Sequence, residues 1–371
     1  MKYSLPSLLA LLLVAVSMQA IDVDASTKKC KAKSSTLSSS GSGSGSGSSS
    51  TKSSSASSST KTSTSSSTST SSGNATSSGS NTDYTPNGIK AGVSGGNSVK
   101  YLGAHIGSWN DWGAAGANDH KSSSALYVPM LWGNGDNSAN TGLSGTTNSD
   151  RMAQFDALTA GSQKYVMGFN EFDLKGTGSS GLMTASAAAS LWDEKFGPWK
   201  DAGSILISPS CAKQADETLL APFLAAATVK PDCIAVHIFR DSLDGMKNTM
   251  NHYLNTYSDY DCFWVTEFAY ANYQNGAHNY GTVSETDDLI GQAVDYFESL
   301  DKVKAYFISD ADNGPNGTLT SSGGLTSAGQ AYLSAISKYS STSRRRAISG
   351  NHAQRHVRRA AAASRRSARS V

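Results

Sequence analysis

Between residues 84 and 342 the chain alternates short apolar runs with longer stretches in which apolar residues recur at helical spacing. The runs predict eight strands: Lys90–Val93, Lys100–Ile106, Ala125–Leu131, Tyr165–Phe169, Ile205–Ser208, Cys233–Ile238, Phe263–Thr266 and Val303–Ile308. Leu206-Ile207 and Ala235-Val236 are apolar on consecutive positions, the pattern of strands buried on both faces. The intervening spacing predicts helices over Asp150–Thr159, Ala185–Lys200, Glu217–Thr228, Leu243–Tyr257, Glu285–Leu300 and Ser327–Ser337. In the first of these Met152, Phe155 and Leu158 share one face, and Trp192 and Trp199 of the second are most simply core. Ser284 is the expected cap of the Glu285–Leu300 helix, with Asp287 at its third position and Asp288 adding negative charge to the first turn. Strands that alternate with helices exclude a sandwich or a bundle and predict an α/β fold, a (β/α)8 TIM barrel in a single domain.

The flanks read differently. Residues 1–20 carry Lys2, an apolar run from Leu8 to Val16 and then small residues, the layout of a secretory signal peptide and too short for a membrane span. Residues 21–83 are dominated by Ser, Thr and Gly, with too little apolar surface to offset the entropy of ordering. This segment is a linker, either a passive spacer or a carrier of O-linked sugars, and Asn74 and Asn316 open N-glycosylation sequons. Residues 343–371 form a basic tail with nine arginines, expected to stay disordered. Attachment to an anionic polymer or membrane, trimming at paired arginines and no role at all are its open readings.

The overall charge of +2 therefore conceals an acidic domain, because residues 84–340 hold fifteen Lys plus Arg against twenty-six Asp plus Glu, a net −11. Such a surface does not suit nucleic acid. No later run is long enough for a transmembrane segment, so the expected location is secreted, extracellular or cell-wall-bound. Of the cysteines at positions 30, 211, 233 and 262, Cys233 and Cys262 each stand just before a predicted strand. If those strands are parallel neighbours, the two thiols lie at one end of the sheet, and a Cys233–Cys262 disulfide is expected. The cysteine spacing and the lack of nearby histidine clusters argue against a metal site, and no cofactor is expected.

A parallel barrel presents its chemistry at the C-terminal ends of its strands. Those positions hold Trp109 and Trp112, Trp132, the group Asn170, Glu171 and Asp173, then Ser210, His237 with Arg240, Glu267 with Tyr270, and Asp310. Glu171 ends an apolar run in Val166-Met167-Gly168-Phe169-Asn170-Glu171 and Glu267 ends another in Phe263-Trp264-Val265-Thr266-Glu267. One strand-end glutamate is more often half of a salt bridge than a catalyst; two that face one cleft are the minimum equipment of a glycosidase. Trp264 lies inside its strand and reads as barrel wall, whereas His237 reads equally as a structural histidine or a neighbour of the reaction.

The segments Val128-Pro129-Met130-Leu131-Trp132-Gly133, Gly168-Phe169-Asn170-Glu171, Ser208-Pro209, Ile234-Ala235-Val236-His237 and Trp264-Val265-Thr266-Glu267-Phe268 together resemble glycoside hydrolase family 128, the fungal glycosyl hydrolase catalytic core proteins. The resemblance implies a barrel that hydrolyses β-1,3-glucan with retention, with Glu171 as acid/base and Glu267 as nucleophile. Asn170 is then placed for the sugar 2-hydroxyl, and His237 and Tyr306 are expected to support Glu267. Trp109, Trp112, Trp132 and Tyr270 are candidate sugar platforms. The chain departs from the family pattern at Phe172, where proline is usual, at Phe239, where tyrosine is usual, and at Ala305-Tyr306-Phe307-Ile308-Ser309, which lacks the expected tryptophan. The expected function is a secreted endo-β-1,3-glucanase acting on cell-wall glucan. The alternative is a wall-resident β-glucan-binding or structural protein with little or no activity.

Overall fold

Parallel pairing runs through nearly the whole strand set of the computed structural model, which describes residues 83–116, 124–140, 146–176, 179–271, 280–311 and 315–340. The strands are β1 (Ala91–Ser94), β2 (Ser108–Asn110), β3 (Leu126–Tyr127), β4 (Tyr165–Met167), β5 (Ile205–Ile207), β6 (Ile234–Arg240), β7 (Phe263–Tyr270) and β8 (Val303–Ser309). One sheet has the order β3-β2-β1-β8-β7-β6, and β4 pairs with β5. Single parallel bridges, Met130 to Met167 and Ile207 to Cys233, join the two sheets and close an eight-strand ring, the α/β (β/α)8 architecture. Pro129 follows β3 and has no N–H to give a ladder, which accounts for a strand of two residues where seven were expected.

Side chains alternate across the ring. Met130, Met167, Ile207, Ala235, Trp264 and Phe307 fill the interior, and Val93, Val166, Leu206, Val236, Val265 and Tyr306 face the helices. The helices are α1 (Val99–Leu102), α2 (Asn148–Asp156), α3 (Ala185–Asp201), α4 (Leu220–Ala226), α5 (Leu243–Thr256), α6 (Val283–Ser299) and a last one, α7, over residues 327–340. Trp192 and Trp199 of α3 are buried between barrel and helix, as their spacing predicts. A short hairpin, β9 (Thr320–Ser321) with β10 (Gly324–Leu325), precedes α7.

Several boundaries differ from the sequence pattern. The run Lys100–Ile106 is not a strand: it folds as α1 and a 3-10 turn, and the second strand starts at Ser108. Gly107 explains the shift, because a Cβ there would stand 2.2 Å from the Ile89 carbonyl, so only glycine lets β2 enter beside β1. Helix α4 begins three residues after Glu217, whose Oε2 instead accepts the Leu220 N–H at 3.0 Å. Helix α6 is capped by Thr282 rather than Ser284, in a reciprocal box with Glu285.

Cys233 and Cys262 form the expected disulfide between the starts of β6 and β7, and Cys211 is a buried free thiol. The expected leader, the linker up to Thr82 with Asn74 and Cys30, the basic tail and most of the 272–282 loop lie outside the described residues. Among the described residues no helix is long and apolar enough to cross a membrane.

Candidate active site

Glu171 stands where the chain leaves β4. Asn170 donates its N–H to the Trp132 carbonyl at 2.9 Å, and Glu171 then turns into the left-handed region at φ +48. The Glu171 N–H donates to Ser210 Oγ at 3.0 Å, which fixes that turn against the end of β5. A side chain with a Cβ rarely holds such a φ unless the surroundings enforce it, and residues of this kind gather at functional sites.

Glu267 reaches the same mouth through a bulge. Val236 pairs with Val265 but His237 pairs with Glu267, so Thr266 has no partner on β6. Trp264 faces the interior, and strict alternation would send Glu267 outward; the extra residue returns it to the inner face beside His237. The freed Thr266 carbonyl accepts from Ser94 Oγ at 2.8 Å, and Ser94 in turn accepts from Asn110 Nδ2 at 2.7 Å.

His237 lies between the two carboxylates. Its Nδ1 is 2.9 Å from Glu171 Oε1 and its Nε2 is 3.5 Å from Glu267 Oε1. The ring is fully buried, which by itself would lower its pKa; the charge of Glu267 and the hydrogen bond and charge of Glu171 outweigh burial and leave the pKa above the usual histidine value. An imidazolium, hydrogen-bonded to Glu171 through Nδ1 and within ion-pair distance of Glu267 at Nε2, is the species this geometry favours. Glu267 Oε1 also accepts from Trp112 Nε1 at 2.8 Å and its Oε2 accepts from Ser309 Oγ at 3.0 Å. Burial nonetheless raises the Glu267 pKa, against the opposing pull of His237, with the charge of Glu171 adding to the rise.

Asp173, buried just beyond Glu171, accepts the N–H groups of Ala212 at 2.7 Å and Lys213 at 3.1 Å and so ties the β4 and β5 loops together. Burial raises its pKa in spite of those bonds. Asn170 turns its main-chain carbonyl to Ser180 Oγ, while its side-chain Oδ1 is buried without a hydrogen-bond partner next to Glu171.

The expected aromatic platforms divide. Trp112 reaches the mouth, as an indole donor to Glu267, and Trp132 lines the upper interior under the guanidinium of Arg151, 4.8 Å from its ring centroid. Trp109 does not reach it: the residue belongs to β2 itself and packs outward, 4.7 Å from the Tyr127 ring. Tyr306 is directed away as well. It is buried against the helices and its hydroxyl donates to Glu298 Oε1 of α6 at 2.9 Å, so Glu267 takes its support from Ser309, three residues later on the inner face. Tyr270 lies on the outer side of β7, where its ring packs over Gly281. Phe239 brings a ring without a hydroxyl to the site, beside His237 at 6.1 Å between centroids. Asn316 donates its side-chain N–H to the Gly281 carbonyl at 2.8 Å. Ser309 was legible in principle, since Ala305, Phe307 and Ser309 follow one another on the inner face. Among the described residues no group of three or more His, Cys, Asp or Glu side chains is placed to hold a metal ion.

A closed parallel barrel with two carboxylates converging at the C-terminal ends of β4 and β7 defines a glycosidase-type scaffold. The chain belongs to the glycosyl hydrolase catalytic core family, which it matches over residues 87–332, and within it to glycoside hydrolase family 128. It is similar to a subgroup VII oligosaccharide-binding protein of that family from Cryptococcus neoformans, 40% identical with a TM-score of 0.61. A second subgroup VII oligosaccharide-binding protein, from Trichoderma gamsii, is 34% identical with a TM-score of 0.63. Each comparison covers 69% of this chain and 96% of the other. Alkali-sensitive linkage protein 1 of Schizosaccharomyces pombe is 28% identical over 179 residues, which are 46% of this chain and 32% of that protein's length. Family 128 β-1,3-glucanases at 21% identity share the fold.

Proposed function

We propose that this protein binds β-1,3-linked gluco-oligosaccharide across the barrel mouth and turns it over slowly or not at all. The observation that carries this reading is the buried His237 between Glu171 and Glu267. A retaining glycosidase needs one carboxyl that carries a proton to the leaving oxygen and one that is ionised to attack. Here the acid/base oxygen, Glu171 Oε1, accepts from an imidazole biased toward its charged form, and Glu267, the expected nucleophile, is pushed by burial toward its neutral form. Both effects oppose the division of labour that hydrolysis requires. Sugar hydroxyls, by contrast, find a partner in the partly exposed Glu171 carboxylate. The likeness to two oligosaccharide-binding proteins at 34% and 40% identity supports the same side.

The second reading is retaining endo-β-1,3-glucan hydrolysis with Glu171 as acid/base and Glu267 as nucleophile. It draws on the presence of both glutamates at one mouth. Calorimetric titration with laminari-oligosaccharides, run beside sizing of products after long incubation, separates the two. Binding without new products, weakened in E171Q, is expected. Product release by wild type that stops in both E171A and E267A would establish the hydrolase instead. On the same proposal the leader at 1–20 and the linker at 21–83 deliver the barrel to the cell wall, which the mature N-terminus and the wall fraction of the protein would test.

A further inference from the structure

Arg151 leaves the early part of α2 and ends beside the mouth, on none of the positions that the strand-end pattern singles out. One guanidinium N–H donates to the main-chain carbonyl of Trp112, and the guanidinium lies over the Trp132 ring, 4.8 Å from its centroid. Trp112 itself stands at φ +57, where a bulky residue is strained and must be held by its surroundings. It is held on both sides. Its N–H donates to Asn110 Oδ1 at 3.2 Å, and its carbonyl accepts from Arg151. That conformation delivers the Trp112 indole N–H to Glu267 Oε1 at 2.8 Å. Behind the guanidinium, Tyr127 donates its hydroxyl to Asp111 at 2.7 Å, and the charge of Asp111 opposes the effect of burial on Arg151. Only a planar cation with fixed N–H directions can donate to a carbonyl and stack on an indole at once; an ammonium meets one demand or the other.

We infer that Arg151 is a positioning residue of the sugar site: by fixing the Trp112 backbone it sets the indole bond on Glu267. The ligand in this inference rests on the proposed glucan binding; the relay from Arg151 to Glu267 does not. Protein carrying 15N-labelled tryptophan has six indole N–H resonances, and the Trp112 peak is identified by its loss in W112F. R151Q is expected to move that peak and to leave those of Trp192 and Trp199, buried on α3, in place. Affinity for laminaripentaose is expected to fall about tenfold in R151Q, the scale of one lost charge-assisted hydrogen bond, and to fall little further when R151Q is added to W112F. An unmoved Trp112 peak, or an R151Q loss of the same size in the W112F background, overturns the inference. Should R151Q fail to fold, R151K, which keeps the charge without the plane, gives the same two readouts. If wild-type protein does not bind laminaripentaose at all, the proposed function fails while the indole peak still decides the relay.

Discussion

His237 is a buried ring with a carboxylate at each nitrogen, so removing it leaves two acids facing each other without a cation. Breaking a buried charge pair by deleting one partner costs about 3 to 5 kcal/mol, and H237Q is expected to lose stability of that order in chemical denaturation. The pH dependence has a definite sign. His237 has a raised pKa in the folded protein, so its contribution is complete below the unfolded value of about 6.5 and is lost as pH rises through the folded value. Glu267, also raised, acts in the same direction at lower pH, because its proton is held more tightly in the folded state. Wild type should therefore lose stability relative to H237Q as pH climbs from neutrality, and a parallel pair of stability curves would contradict the buried imidazolium. At this scale the two glutamates were legible because each ends an apolar run. The directions of Tyr306 and Trp109 were not legible because a strand has two faces, and a run that is apolar throughout does not say which face a given ring will take.

Between elements, the start of α6 shows how nearly equivalent local signals are separated by chain path. Thr282-Val283-Ser284-Glu285 and Ser284-Glu285-Thr286-Asp287 both satisfy the capping pattern, and only the first is used: Thr282 Oγ1 accepts the Glu285 N–H at 3.3 Å and Glu285 Oε2 accepts the Thr282 N–H at 2.8 Å. T282A should cost about 1 kcal/mol, while S284A, already inside the helix, should stay within about 0.5 kcal/mol. Equal losses in thermal or urea melts would restore the sequence-based cap. The run Lys100–Ile106, which the sequence pattern predicts as a strand, departs from that prediction for a related reason. It has apolar residues that serve a short helix as well as a strand, and the choice was made by Gly107, which alone lets the following strand approach Ile89.

For the molecule as a whole, the proposed binding predicts linkage: laminari-oligosaccharide at about 100 times its Kd should stabilise the fold by about 2.7 kcal/mol, read as a shift in the denaturation midpoint that E171Q reduces. An unchanged midpoint would count against a mouth that recognises this sugar. The sequence by itself determined the barrel, the strand-end position of Glu171 and the pairing of Cys233 with Cys262, because periodicity and the order of runs are local properties of the chain. Tertiary structure decided what surrounds the carboxylates. The bulge that turns Glu267 inward exists only in register with β6, the left-handed turn at Trp112 only under the grip of Arg151 and Asn110, and the cation between Glu171 and Glu267 only where three separate strands meet. Such contacts join residues far apart in the chain, and no pattern along the sequence specifies the distance between them.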